Sequence, residues 1–388
     1  MIPFNKPYLT GKEAHYLYQA VYSGKLSGNG KYTKLCQEYF EREYGFHKCL
    51  LTTSCTDALE MSALLLRIVP GDEVIVPSFT FVSSALAFVR QGAEIKFCDS
   101  RPDHPGMDES MLESLVTPRT KAIVVVHYAG VACDMDQVLA LARKHGIAVV
   151  EDAAQAVDSF YKGKPLGGLG DLGCFSFHET KNIISGEGGM LSIRNPEQAE
   201  RAEILWEKGT NRASFFRGEV NKYGWVDVGS SFLPAETVSA FLYAQLENLK
   251  EIQAKRHHIW NRYSEAFQDL EGQGLVRLPC IPAYATNNAH MFYLVLPDLD
   301  SRTRLIETLK SQGILAVFHY LSLHSSPYYT GRYQGKELPW SDRYSDCLVR
   351  LPLFYELTDE ELETIIHTVR SFFPEMLVLT MSFVTRSG

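Results

Sequence analysis

The sequence of 388 residues contains no unbroken apolar stretch of the roughly 18 residues that a membrane-spanning helix needs. The nearest approach, Met376–Val384, is short and is interrupted by Thr380 and Ser382. Positive charge is in deficit. The 38 Lys and Arg face 46 Asp and Glu, a formal net charge of −8. Such a balance suits nucleic acid poorly, though it does not exclude a small anionic substrate. The eight cysteines include no CxxC pair, and no Cys/His cluster has zinc spacing. They read as reduced thiols, so neither a disulfide framework nor a metal site is expected. The opening MIPFNKPYLTGKE lacks the apolar core of a secretory signal. Repeats and low-complexity segments are lacking too. The expectation is a cytoplasmic protein with no membrane span and no nucleic-acid partner.

What is present is ordinary for a globular chain: 45% hydrophobic and 22% charged residues. The length suggests two domains. From about 50 to 200, short Val/Ile-rich runs alternate with helical patterns. Strands are expected at Val74–Pro77, Glu94–Cys98, Ala122–His127, Ile147–Glu151, Cys174–Phe177 and Gly189–Ile193. Helices are expected near Tyr32–Tyr44, Thr56–Leu66, Ser83–Arg90, Glu109–Val116 and Met135–His145. That alternation predicts an α/β fold with a mostly parallel, buried sheet. The first residues read as an irregular arm. One long helix is expected near Ala235–Leu270. Beyond Gly272, prolines separate short strands such as Met291–Leu296 and Leu315–Tyr320, and a helix near Asp359–Phe373 closes an α+β pattern.

Several residues could carry chemistry. Lys181, in Ser176-Phe177-His178-Glu179-Thr180-Lys181, lies just past a strand and before a Gly-rich loop. Desolvation there would lower its pKa and make it an imine-forming nucleophile. A plain surface lysine fits the same spacing. Asp152 ends an apolar strand, the edge where open α/β sheets bind ligands. It could hold a protonated pyridine nitrogen or simply cap a helix. Thr52–Leu59, TTSCTDAL, places hydroxyls at a helix start, as a phosphate cradle or an ordinary cap would. Gly168-Leu169-Gly170-Asp171-Leu172-Gly173 matches GxGxxG, but no strand precedes it and a strand follows, so it is not expected to bind a dinucleotide. Lys208, Arg212, Arg217 and Lys222 share a loop that could bind a diphosphate or remain solvated. The scattered histidines, including His127, His290, His319 and His324, have no metal spacing.

The order of these segments is more specific than any one of them. SGKLSGNG, TTSCTDAL, PSFTFVSSA, HYAGVACDMD, VVEDAAQA, SFHETKN with GEGG, and HYLSLH together resemble the DegT family of pyridoxal-phosphate sugar aminotransferases. The likeness runs from Ile2 to about Phe373; the tail PEMLVLTMSFVTRSG has no counterpart. The resemblance implies a type I aminotransferase fold. Residues 1–250 would form a large cofactor-binding domain with an N-terminal arm, and 251–388 a smaller α+β domain. It implies pyridoxal 5'-phosphate (PLP) as cofactor, a nucleotide-linked keto-deoxysugar and L-glutamate as substrates, and a homodimer with shared active sites. Lys181 matches the lysine that carries the cofactor and moves protons. Asp152 matches the carboxylate facing the pyridine nitrogen, and Gln155 the side chain near the phenolic oxygen. Ser176 and Thr56 match the hydroxyls on the phosphate, with the Cys55 amide beside them. Phe81 matches the aromatic stacked on the ring. Lys208, Arg212, His319 and His324 are the candidate substrate contacts. Many members carry Gly-x-Asn-x-Arg before the long helix, the Asn reaching the partner's cofactor phosphate. Here the stretch is Gly229-Ser230-Ser231-Phe232-Leu233, which leaves Ser231 for that contact. The related sugar dehydratases replace the lysine by histidine, so Lys181 favours transfer.

Overall fold

The computed structural model describes residues 1–384, with side chains described through Phe373. The strands are β1 Lys48–Thr52, β2 Glu73–Pro77, β3 Glu94–Cys98, β4 Thr120–Val126, β5 Ala148–Asp152, β6 Phe160–Tyr161, β7 Lys164–Pro165, β8 Leu172–Ser176, β9 Gly189–Ile193, β10 Phe292–Val295, β11 Val317–Phe318 and β12 Leu348–Leu351. The helices are α1 Glu13–Tyr22, α2 Lys31–Tyr44, α3 Cys55–Leu65, α4 Ser83–Val89, α5 Leu112–Leu115, α6 Met135–His145, α7 Pro196–Trp206, α8 Arg212–Phe216, α9 Glu236–Leu246, α10 Leu249–Gly272, α11 Leu299–Ser311, α12 Pro339–Cys347 and α13 Asp359–Val384.

The main sheet has seven strands in the order β1-β9-β8-β5-β4-β2-β3. The run from β8 to β3 is parallel, while β9 is antiparallel to both β1 and β8. Successive side chains point to opposite faces, and both faces are covered. Val74 and Val76 of β2 pack into the core on the α3, α4 and α7 side. Ile75 packs with α2, α6, α9 and α10 on the other. That double burial explains why these strands read as continuous Val/Ile runs. A smaller sheet, β10-β12-β11, is wholly antiparallel and packs with α10, α11 and α13 in its own core.

Four expectations needed correction. The arm contains a helix, α1. The Glu13 carboxyl accepts from the amides of Thr10 and Gly11 and from Gln245 on α9, a distant partner that local pattern cannot show. The long helix is two, α9 and α10. At the break, Asn248 Nδ2 donates to the Ala244 carbonyl at 2.9 Å. The strand expected at Leu315–Tyr320 shrinks to β11, and the closing helix runs on to Val384. Strand β1 was missed because KCLLT is short and has no period-two alternation.

The GxGxxG stretch has its own explanation. The amides of Gly167, Leu169 and Gly170 donate to the Glu151 carboxyl at 2.7, 2.7 and 2.6 Å. His127 Nε2 lies 2.9 Å from the same group, and both side chains are fully buried. A Cβ on Gly173 would collide with the Gly167 carbonyl, so β8 needs glycine where it passes the turn. The loop wraps an internal acid, not a nucleotide. Glu151→Ala would orphan those amides and His127, and should cost about 3–5 kcal/mol of stability. Urea denaturation would test it; a loss under about 1 kcal/mol would contradict the role given to Glu151.

Candidate functional site

The parallel strands deliver their carboxyl ends to one edge, and a cavity of about 470 Å³ opens there. Val126 ends β4, Asp152 ends β5 and Ser176 ends β8, and all three line it. Lys181, Gln155, Cys55, Thr56, Phe81 and His319 line it as well. Eight of the expected site residues, Asp152 and Ser176 included, thus share one space.

Asp152 is buried. Its Oδ2 accepts from Ser84 Oγ at 2.6 Å and its Oδ1 from the Ala154 amide at 3.2 Å. Burial still pushes its pKa above the ordinary carboxylate value, against the pull of those bonds and of Lys181. Lys181 is shifted down from 10.5, chiefly by desolvation; Cys55 and Asp152 oppose the shift and Arg350 adds to it. Lys181 is held by its neighbour. Asn182 donates to Gln253 Oε1 and the Asn288 carbonyl, each at 2.8 Å, and its Oδ1 lies 2.8 Å from His290 Nδ1. Gln155 Oε1 accepts from the Ala129 amide at 2.6 Å, and its Nε2 donates to Tyr320 OH at 3.0 Å.

The start of α3 offers donors. Ser54 caps the helix by accepting from the Asp57 amide at 3.1 Å. Thr56 Oγ1 and Ser83 Oγ lie 2.7 Å apart. A Cβ on Gly189 would collide with Ser54 and the Cys55 amide nitrogen, so glycine keeps β9 close under this helix start. First-turn amides, Thr56 and Ser176 hydroxyls, an acid and an amine on separate elements fit a phosphorylated aromatic cofactor with a carbonyl.

Other expected residues are less enclosed or lie elsewhere. Phe81 lines the cavity but is 55% exposed. His324 is turned away: Nδ1 is 2.7 Å from Ser78 Oγ and Nε2 is 3.5 Å from Asp342. Lys208, Arg212 and Ser231 are exposed and outside the cavity. They gather around the Glu207–Ser231 bridge, where Arg212 faces Glu207 at 3.7 Å. Sequence reasoning gave no role to His290, Tyr320, Arg350 or Asn5, all of which line the cavity. His290 is held well below its ordinary pKa by burial and then by Lys181, Arg256 and Arg350. His290 was visible only as one scattered histidine among others.

The fold and this site define an aminotransferase. The chain belongs to the DegT/DnrJ/EryC1/StrS aminotransferase family, whose profile matches residues 7–370. It is 33% identical over 385 residues to the spore coat polysaccharide biosynthesis protein SpsC of Bacillus subtilis, covering 95% of this chain and 96% of that protein. The aminotransferase TlmJ of Streptoalloteichus hindustanus superposes with a TM-score of 0.89 at 31% identity, over 97% of this chain and 100% of TlmJ. Spr1654 of Streptococcus pneumoniae, solved in a PLP form, gives 0.88 at 26% identity, over 96% and 99%. The protein is a PLP-dependent sugar aminotransferase.

A lowered pKa leaves more neutral amine at a given pH. In protein stripped of cofactor, Lys181 should therefore react with trinitrobenzenesulfonate at lower pH than exposed lysines do. Peptide mass spectrometry across a pH series would show it; a profile matching surface lysines would contradict the shift.

Proposed function

We propose that the protein transfers the amino group of L-glutamate to dTDP-4-dehydro-6-deoxy-D-glucose, giving dTDP-4-amino-4,6-dideoxy-D-galactose and 2-oxoglutarate. The observation that carries the reaction type is the meeting of Lys181 and Asp152 in one cavity beside the start of α3. The choice of sugar rests on stretches, MIPFN, HYAGVACDMD, CFSFHETKN, KGTNR, FFRG and NAHMFY, that resemble those of dTDP-4-amino-4,6-dideoxygalactose transaminase. That product belongs to the chemistry of cell-surface polysaccharides such as the enterobacterial common antigen or O-antigen.

Bound PLP supplies an electron sink for charge that develops at the amino-bearing carbon. Lys181 Nζ would hold the cofactor; set free when the donor's amine takes its place, it would accept the proton from the donor's α-carbon. Its lowered pKa suits a base working near neutrality. In the second half, Lys181 Nζ delivers a proton to the sugar carbon from one fixed face, which sets the configuration of the amine. Asp152 would hold the ring nitrogen in its protonated form; a cation there would offset the burial that raises the carboxyl pKa. Gln155 binds the phenolic oxygen. Thr56, Ser176 and the Cys55 amide would take the phosphate, Phe81 would cover the ring, and His319 would contact the sugar.

The active form in this reading is a homodimer. Trp225 is 84% exposed and Phe216 69%, on the same loop region as Arg212 and Lys208. Large aromatics left this exposed favour a protein partner. Ser231, Arg212 and Lys208 then serve the second subunit's cavity. We place the divide between the two units at about residue 250, near the start of α10.

Lys181→Ala should fold yet lose turnover by roughly 10³-fold or more; near-normal turnover in coupled 2-oxoglutarate assays would end this reading. Proton NMR of the sugar product tests the acceptor. A small coupling between the C3 and C4 protons is expected for an axial amine. A large one would mean the gluco epimer, and no aminated product would point to 3-keto or UDP-linked sugars.

A further inference from the structure

Arg350 lies on β12, the middle strand of the small sheet, in register with Tyr293 of β10 and Val317 of β11. That position fixes its backbone from both sides. Its side chain reaches the cavity that holds Lys181. The guanidinium carbon sits 4.7 Å from the centre of the Phe4 ring, so one face is covered by an aromatic. Its Nε is buried with no hydrogen-bond partner among the described residues. Among those residues Arg350 forms no ion pair with a carboxyl group, and only the phenols of Tyr128 and Tyr320 favour its charge. A cation desolvated to this degree without a counter-ion is costly. The arrangement suits a planar anion that arrives with a ligand, because the guanidinium fork matches a carboxylate with two parallel hydrogen bonds.

Two ligand anions remain once the cofactor phosphate is assigned to α3: the donor's carboxylates and the nucleotide's diphosphate. Placement separates them. Arg350 is near enough to Lys181 to lower its pKa. The donor's α-carboxylate is bonded to the very carbon whose proton Lys181 takes. The diphosphate is separated from the reacting sugar carbon by the hexose ring. Resting on the functional reading above, we infer that Arg350 binds the α-carboxylate of the amino donor, and of the 2-oxo acid it becomes. It orients the α-carbon toward Lys181 Nζ.

Maleate, a dicarboxylate that cannot react, and dTDP serve as separate probes by titration calorimetry on the PLP-loaded protein. Arg350→Gln should weaken maleate roughly 10- to 100-fold and leave dTDP within about twofold. Arg350→Lys, which keeps the charge but not the fork, should fall between. Melting temperature and retained cofactor absorbance check the fold; if Arg350→Gln does not fold, Arg350→Lys carries the comparison. Unchanged maleate affinity overturns the inference. So does an equal loss for dTDP, which would give the guanidinium to the diphosphate. A wild-type protein that takes no amino group from L-glutamate would sink the functional reading, while the maleate comparison still decides whether Arg350 is a carboxylate site.

Discussion

The site depends on how β5 ends. Glu151 and Asp152 are consecutive, so the pleat sends their side chains to opposite faces. Each carboxyl is buried, and each needs partners to be tolerated there. Glu151 receives three backbone amides and faces His127. Asp152 receives one hydroxyl and one amide. The first acid is well supplied and anchors the loop that leads into β8. The second is less well supplied and faces the cavity. With β4 and β8 paired on either side, the strand has no freedom to exchange the two.

One physical device is therefore used twice within a short distance. Backbone amides on a glycine-rich turn hold Glu151, an anion supplied by the chain itself. Amides and hydroxyls at the start of α3 are kept at the cavity, with Gly189 leaving them room. Resemblance to a nucleotide-binding loop belongs to the first; the capacity to take a phosphate belongs to the second. Element order separates them: a strand follows the glycines of the first, and a helix follows the hydroxyls of the second.

Much of the fold was legible because burial on both faces of a parallel sheet leaves a strong local mark. The runs that became β2, β4 and β5 carry it. Strand β1 does not, and α1 depends on a carboxyl shared with Gln245, far along the chain. The helix break at Asn248, where the side-chain amide bonds the Ala244 carbonyl, falls in a segment that otherwise reads as continuous. At the site, Lys181 and Asp152 stood out because one follows and the other ends an apolar strand, while Ser176 drew its role from the family resemblance. Asn182, Asn288 and His290 did not, since their meaning lies in a network joining the lysine loop, α10 and the segment before β10. Lys208, Arg212 and Ser231 looked like site residues but sit on an exposed loop, and no pattern within one chain tells which copy such a loop would serve.

The N-terminal segment has a consequence for how such a protein diversifies. Ile2 bonds with Gly313 and Leu315 at the edge of the small unit, and this short tether carries Phe4 and Asn5 to the cavity wall. Neither residue belongs to a sheet or helix. Drift at these positions can reshape the cavity while leaving the strands and their cores untouched, so new substrate preferences can be explored at the outset of the chain with little threat to folding.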